Sequence, residues 1–162
     1  MAILLNYEGV KGETKDDNHK DWIDLVGWTF KTDRLITSNT STKGDRESSN
    51  ARIYDLQISK EMDLATPKLF MESLCGTGKE VKLRLTKTGQ GKGSDVYMEY
   101  ILKNALISSY EVGGSNTDLS RPTENITISF VEIEVKYTPY DDNNKALANI
   151  VVGFDTATNT KK

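Results

Sequence analysis

The chain has 162 residues, 36% of them hydrophobic, with one histidine, one cysteine and a net charge of −3; its mean hydropathy is −0.53. That length suits a single domain over residues 1–162, and the charge balance gives no basic excess for nucleic acid or an anionic membrane. No run approaches the roughly 18 apolar residues of a membrane span, and single copies of Cys75 and His19 exclude an intrachain disulfide and multi-thiolate or His-rich metal sites.

Residues 2–7 read as a strand. The opening residues carry neither the basic nor the long apolar region of a signal peptide, so any export is expected to use a route that reads no N-terminal signal. His19 stands among carboxylates in Lys15-Asp16-Asp17-Asn18-His19-Lys20-Asp21, and this composition predicts a solvated turn before a strand. Residues 21–30 read as that strand. Val26, Trp28 and Phe30 share one parity with Asp24, while Ile23, Leu25 and Thr29 share the other.

Residues 37–50 hold no apolar residue. A polar loop of this length inside a compact domain is uncommon and usually functional or disordered. Residues 51–59 alternate through Ile53, Leu56 and Ile58 with one slip of register, as at a bulge or bend. Thr66-Pro67 predicts an N-cap followed by proline in the first helical turn. Leu69, Phe70 and Leu74 give that helix an apolar face, and Gly76 is expected to close it in the left-handed region. About nine residues make a helix too short to stand alone, so it must dock on a sheet. Cys75 at its end faces the negative pole of the helix, which disfavours a thiolate, so a buried structural thiol is expected.

Gly76-Thr77-Gly78-Lys79-Glu80 lacks the Ser or Thr and the following helix of a phosphate loop. In residues 80–88 Val81, Leu83 and Leu85 alternate with charge, the pattern of a strand with one wet face. Residues 89–94 are glycine-rich and read as a hairpin connection. Residues 95–110 read as a further strand, and 113–122 as a polar stretch. Between 124 and 138 the apolar residues change parity, from Ile126, Ile128 and Phe130 to Val131, Ile133, Val135 and Tyr137. A strand that changes face bends, and serves two sheets at a corner. Asn125-Ile126-Thr127 matches a glycosylation triplet but lies within that strand. Asp141-Asp142-Asn143-Asn144-Lys145 lacks the glycine and final glutamate of a calcium loop and reads as a turn. Residues 149–155 form the last strand. No catalytic constellation, cofactor motif or metal-ligand set emerges, and the chain is not expected to be an enzyme.

Several blocks are specific together. Residues 9–24 (Gly-Val-Lys-Gly-Glu-Thr-Lys-Asp-Asp-Asn-His-Lys-Asp-Trp-Ile-Asp), 63–70, 108–115, 121–130, 134–139, 153–155 and 158–162 resemble the haemolysin co-regulated (Hcp) family, in the family's order and across essentially the whole chain. The resemblance implies a tube subunit of bacterial type VI secretion: six-membered rings stacked into a hollow tube, driven by a contractile sheath behind a spike protein, with effectors carried in the lumen. It implies assembly in the bacterial cytoplasm and export to the outside or a target cell, without membrane insertion. The implied fold is mainly β, two antiparallel sheets in a barrel-like body with one short flanking helix and a long extended loop. The strand pattern, the single helix and the polar loop agree with that. On this resemblance Ser38, Asn39, Thr40, Ser41, Thr42, Lys43, Gly44, Asp45, Arg46 and Glu47 form a ring-stacking loop, and Thr29 faces the lumen. This chain departs from many relatives in having Phe154 in place of Trp, and a Ser/Thr-rich loop in place of a glycine-rich one. A dedicated effector chaperone and a β-sandwich carbohydrate-binding module share parts of this pattern. Trp22 and Trp28 lie on one strand, where core packing accounts for Trp28.

Overall fold

A computed structural model describes residues 1–38, 46–48, 50–89, 91 and 93–162. In chain order the strands are β1 (Ala2–Tyr7), β2 (Ile23–Asp24), β3 (Gly27–Thr29), β4 (Thr32–Asp33), β5 (Ile36–Ser38), β6 (Arg46–Ser48), β7 (Arg52–Ile53), β8 (Leu56–Glu61), β9 (Lys79–Thr88), β10 (Ser94–Gly113), β11 (Thr123–Ser129), β12 (Glu132–Tyr137), β13 (Ile150–Asp155) and β14 (Thr160–Lys161), with one helix, α1 (Thr66–Cys75), between β8 and β9. The fold is mainly β, as expected.

Two antiparallel sheets share the 20-residue strand β10. Its first half pairs with β9 and β12, and the first sheet runs β2-β1-β9-β10-β12-β13-β14. Its second half pairs with β11, and the second sheet runs β3-β8-β11-β10. Between the halves Asn104 takes a positive φ of 52°, and the register against β9 shifts between Leu102 and Ala105. Asparagine tolerates that left-handed conformation better than most residues, so the strand turns its corner there. Among the described residues the ladder does not close on itself; the body is barrel-like without being a closed barrel.

The parity change in 124–138 has the predicted cause. The chain leaves β11, in the second sheet, at Ser129 and enters β12, in the first, at Glu132. The 21–30 segment divides in the same way, β2 pairing with β1 and β3 with β8. The register slip in 51–59 is the break between β7 and β8.

The core lies between the sheets, built from residues such as Leu5, Ile23, Ile58, Leu83, Leu102 and Ile126. Trp28 and Phe30 close one side on Tyr100, with ring centroids 5.1 and 6.0 Å apart. The α1 helix packs on β10 through buried Leu69 and through Phe70, whose ring meets Tyr110 edge-on at 5.8 Å. Both of its ends differ from expectation. The N-cap is Ala65, without a side-chain cap, because the Thr66 hydroxyl is drawn to Glu124 and to the Asp63 amide. Gly76 is extended, with φ at −69°. It is small for another reason: a Cβ there would sit 2.5 Å from the Glu72 carbonyl oxygen. Leu74, expected on the packed face, is exposed.

Candidate functional site

Pleating sends alternate residues of the second sheet to its outer face. Register places Thr29, Gln57, Thr127 and Ser109 in one row across the four strands, and Gly27, Ser59, Asn125 and Glu111 in the next. Apart from Gly27, these residues line a shallow depression of about 310 Å³. Hydroxyls and amides dominate them; Glu111 is their one charged group and neither row holds an apolar side chain. A half-buried sheet ordinarily presents such a face to water. Thr29, exposed, stands at the β3 end of its row. The seven other residues of the two rows escaped the sequence reading, because parity marks a residue as outward but only the pairing of distant strands gathers outward residues into a wall.

The second feature is an arm. The expected loop 37–50 is not open at its base: β4 pairs with β7, and beyond them β5 with β6, so that Ser38 opposes Arg46 and Thr37 opposes Glu47. Of the proposed stacking residues, Ser38, Arg46 and Glu47 thus lie on ribbon strands. Asn39 to Asp45 lie outside the described residues. Tyr54 clamps the root of the arm. Its hydroxyl donates to Asp33 at 2.8 Å and accepts from Arg52 at 3.2 Å, with the Lys31 ammonium 4.8 Å over its ring.

Two polar networks look chemical and are consumed by structure. His19 ends a 3₁₀ turn, Asp17–His19, and is buried, where a solvated side chain was expected. Its Nδ1 lies 3.0 Å from Asp16 Oδ2, and its Nε2 3.2 Å from Arg84 Nη1. Guanidinium only donates, so in this contact Nε2 is the acceptor and Nδ1 faces the Asp16 carboxylate as the donor. Arg84 also pairs with Glu99 and lies 4.7 Å over the Trp22 ring. Burial would raise the Asp16 carboxyl, but hydrogen bonds from Ser94, the Asn18 amide and His19 outweigh it and hold the group below its ordinary range. The serine meets the carboxylate, not the imidazole, so this is no nucleophile-base pair.

The other network sits under α1. Lys60 Nζ donates to Asp63 Oδ1 and Glu124 Oε2, each at 2.8 Å, and to the Glu61 carbonyl at 2.9 Å. Glu124 Oε1 accepts from Thr66 and Tyr110. Burial and that carboxylate push the Tyr110 hydroxyl up to about 12. A larger cleft of about 630 Å³ includes Glu13, Asp16, Asp24, Asp63 and Arg121 in its lining. Three of its carboxylates already have partners: Glu13 pairs with Arg121, Asp63 with Lys60 and Asp16 with His19.

The remaining sequence candidates resolve simply. Cys75 is exposed rather than buried, because it ends the last turn of α1 on an open side. Asp141 Oδ1 accepts from the Asn143 and Lys145 amides, closing the expected turn. Among the described residues no group of three metal-ligating side chains exists. Trp28 packs against the core, and Trp22 meets His19 edge-on and carries Arg84 over its ring, leaving no exposed tryptophan platform for a sugar ring.

Comparison with known proteins agrees with the block resemblance. Residues 4–137 match the family described as Type VI secretion system effector, Hcp. Protein hcp1 of Pseudomonas aeruginosa is 34% identical over 142 residues, 86% of this chain and 84% of that protein. A solved type six secretion system protein superposes with a TM-score of 0.89 at 28% identity, covering 99% of both chains. Hcp1 from Salmonella typhimurium shares the fold, with a TM-score of 0.75 over 99% of this chain and 98% of its own, at 20% identity. The chain belongs to the Hcp family of type VI secretion proteins.

Proposed function

We propose that this tube subunit works as a closed ring of six copies whose second sheets face inward. The polar wall then lines a water-filled channel, with Thr29 on its surface, and the arm through Ser38–Glu47 reaches the next ring. The observation that carries this reading lies on the outer face of the β3-β8-β11-β10 sheet: two adjacent rows of hydroxyls, amides and one carboxylate, neither of which holds an apolar side chain. A wet wall suits a conduit for folded or unfolded cargo, since it offers hydrogen bonds without a sticky surface. Repeating one heterologous contact by rotation closes a ring, and a second such contact, head to tail, builds a filament. Six weak stacking contacts acting together hold two rings that no single contact would hold. The sheath, the spike and lumen effectors are the partners of this assembly, and export needs no cleaved N-terminal signal. The role is mechanical, with no catalysis of its own.

Light scattering and negative-stain microscopy of the purified protein test the ring. The expected species has about six times the 18.1 kDa mass of one chain and a visible central hole. A chain that stays monomeric at high concentration overturns the reading. Deleting residues 39–45 is expected to leave rings intact while abolishing tubes and secretion; normal secretion by that variant removes the stacking role of the arm.

A further inference from the structure

The two sheets differ in width, and the difference leaves part of the core side bare. The second sheet ends at β3, whereas the first continues past β10 into β12, β13 and β14. Across β12 and β13, Ile133 opposes Phe154, Val135 opposes Val152 and Tyr137 opposes Ile150. Directly opposed residues point to the same face. Ile133 belongs to the core cluster, and Val135 and Phe154 pack against it, so Tyr137, Ile150 and Val152 point to the core side as well. Yet Ile150 is 64% exposed and Val152 51%. These side chains extend the row of core residues beyond the point where the second sheet stops covering it.

The opposite flank carries a complementary feature. The α1 helix runs directly into β9, and the Lys68 ammonium reaches the Gly9 carbonyl at 3.5 Å, which places the helix on the β1/β9 side of β10, away from β13. On a helical wheel Leu74 and Met71 lie about 140° and 160° from the inward Leu69. They are 66% and 52% exposed. The chain thus has a sheet face lacking a covering layer on one flank and a helix with an unpartnered apolar stripe on the other. Exposed apolar surface of this kind marks an interaction site, and neither patch can reach the other within one molecule.

We infer that α1 of one copy, through Met71 and Leu74, covers the bare β12–β13 face, Tyr137, Ile150 and Val152, of the next copy around the ring. This rests on the ring reading above and specifies its contact. A second copy is the occupant because a heterologous ring contact needs two unlike, mutually complementary patches on opposite flanks of one subunit. Helix on sheet is also how α1 already packs within its own chain. The apolar contact forms the dry centre of the interface, and the polar residues around it form the rim.

The exposed native thiol of Cys75 lies one residue beyond Leu74 and supplies the probe. Ile150→Cys and Val152→Cys, each paired with native Cys75, are expected to form disulfide-linked multimers under mild oxidation, up to hexamers on a non-reducing gel. Val151→Cys, on the outer face of the same strand, and Val152→Cys combined with Cys75→Ser are expected to form none. Leu74→Asp and Val152→Asp change side chains already in water, so thermal unfolding of the monomer should hold while light scattering loses the hexamer. If the wild type forms hexamers that survive both aspartate variants, or that crosslink at neither 150 nor 152, this contact is wrong and the ring stands. A wild type without hexamers overturns the ring and the contact together.

Discussion

A lysine cut off from water must find acceptors for three N–H groups, and Lys60 finds three: two carboxylates and a carbonyl. Glu124 in turn gives one oxygen to Lys60 and shares the other between Thr66 and Tyr110. Removing one partner of a buried pair leaves the other charge uncompensated, at a cost of about 3–5 kcal/mol. Glu124→Ala is therefore expected to lower the urea midpoint sharply, and Tyr110→Phe, which leaves the lysine paired, far less. Asp16 gives a pH signature. Its carboxyl is lowered from 3.8 in the folded chain, so its contribution to stability is present above that value and fades as pH falls through the folded pKa. Asp16→Asn should be less stable than wild type near neutrality, with the gap closing in acid; a gap constant down to pH ~2 would contradict this linkage. His19 shows why such networks resist sequence reading. A lone histidine among Asp and Lys looks solvated, and its burial comes from Arg84, 65 residues away.

At the scale of elements, legibility follows the range of the interaction. Residues 80–88 are readable as a strand because a half-buried strand writes period two into its own residues. The corner near Phe130 was readable for the same reason, since a change of sheet is a change of parity. The corner in β10 left the same trace, Leu102 and Ala105 being buried on opposite parities around Asn104, but short apolar runs covering both parities, at 96–98, 100–102 and 105–107, masked it. The start of the helix departs from expectation because a tertiary partner claims the capping group: Thr66 serves Glu124 instead of its own helix. The polar wall was legible only at Thr29, because register between β8 and β11 is a property of pairing, not of either segment. Close backbone approach is likewise invisible in the chain. A Cβ on Gly12 would lie 2.2 Å from the Trp22 carbonyl oxygen, so Gly12→Ala must displace backbone in the loop that carries His19. A loss of about 1–3 kcal/mol, the usual cost of overpacking, is expected in chemical denaturation.

For the whole molecule, the low apolar fraction no longer signals a poor core. The core is one continuous cluster, and the polar excess is spread over the rest of the surface, the outer wall included. The two rows of the wall are polar by need, while the flanks keep exposed apolar residues that a neighbour is proposed to cover. The shared strand adds a consequence for biosynthesis. The first strand pairs with β9, Ala2 opposite Thr86, and both sheets wait for β10, which ends at Gly113. A nascent chain halted at Cys75 has made β1, β2, β3, β8 and α1 but lacks β9, β10 and β11, against which β1, α1 and β8 are held. Ribosome-bound chains of that length should be fully open to protease, and protection should arrive in one step once β10 and β11 have emerged. The subunit is thus committed late and all at once, so half-built copies with open edges have little time to join a ring.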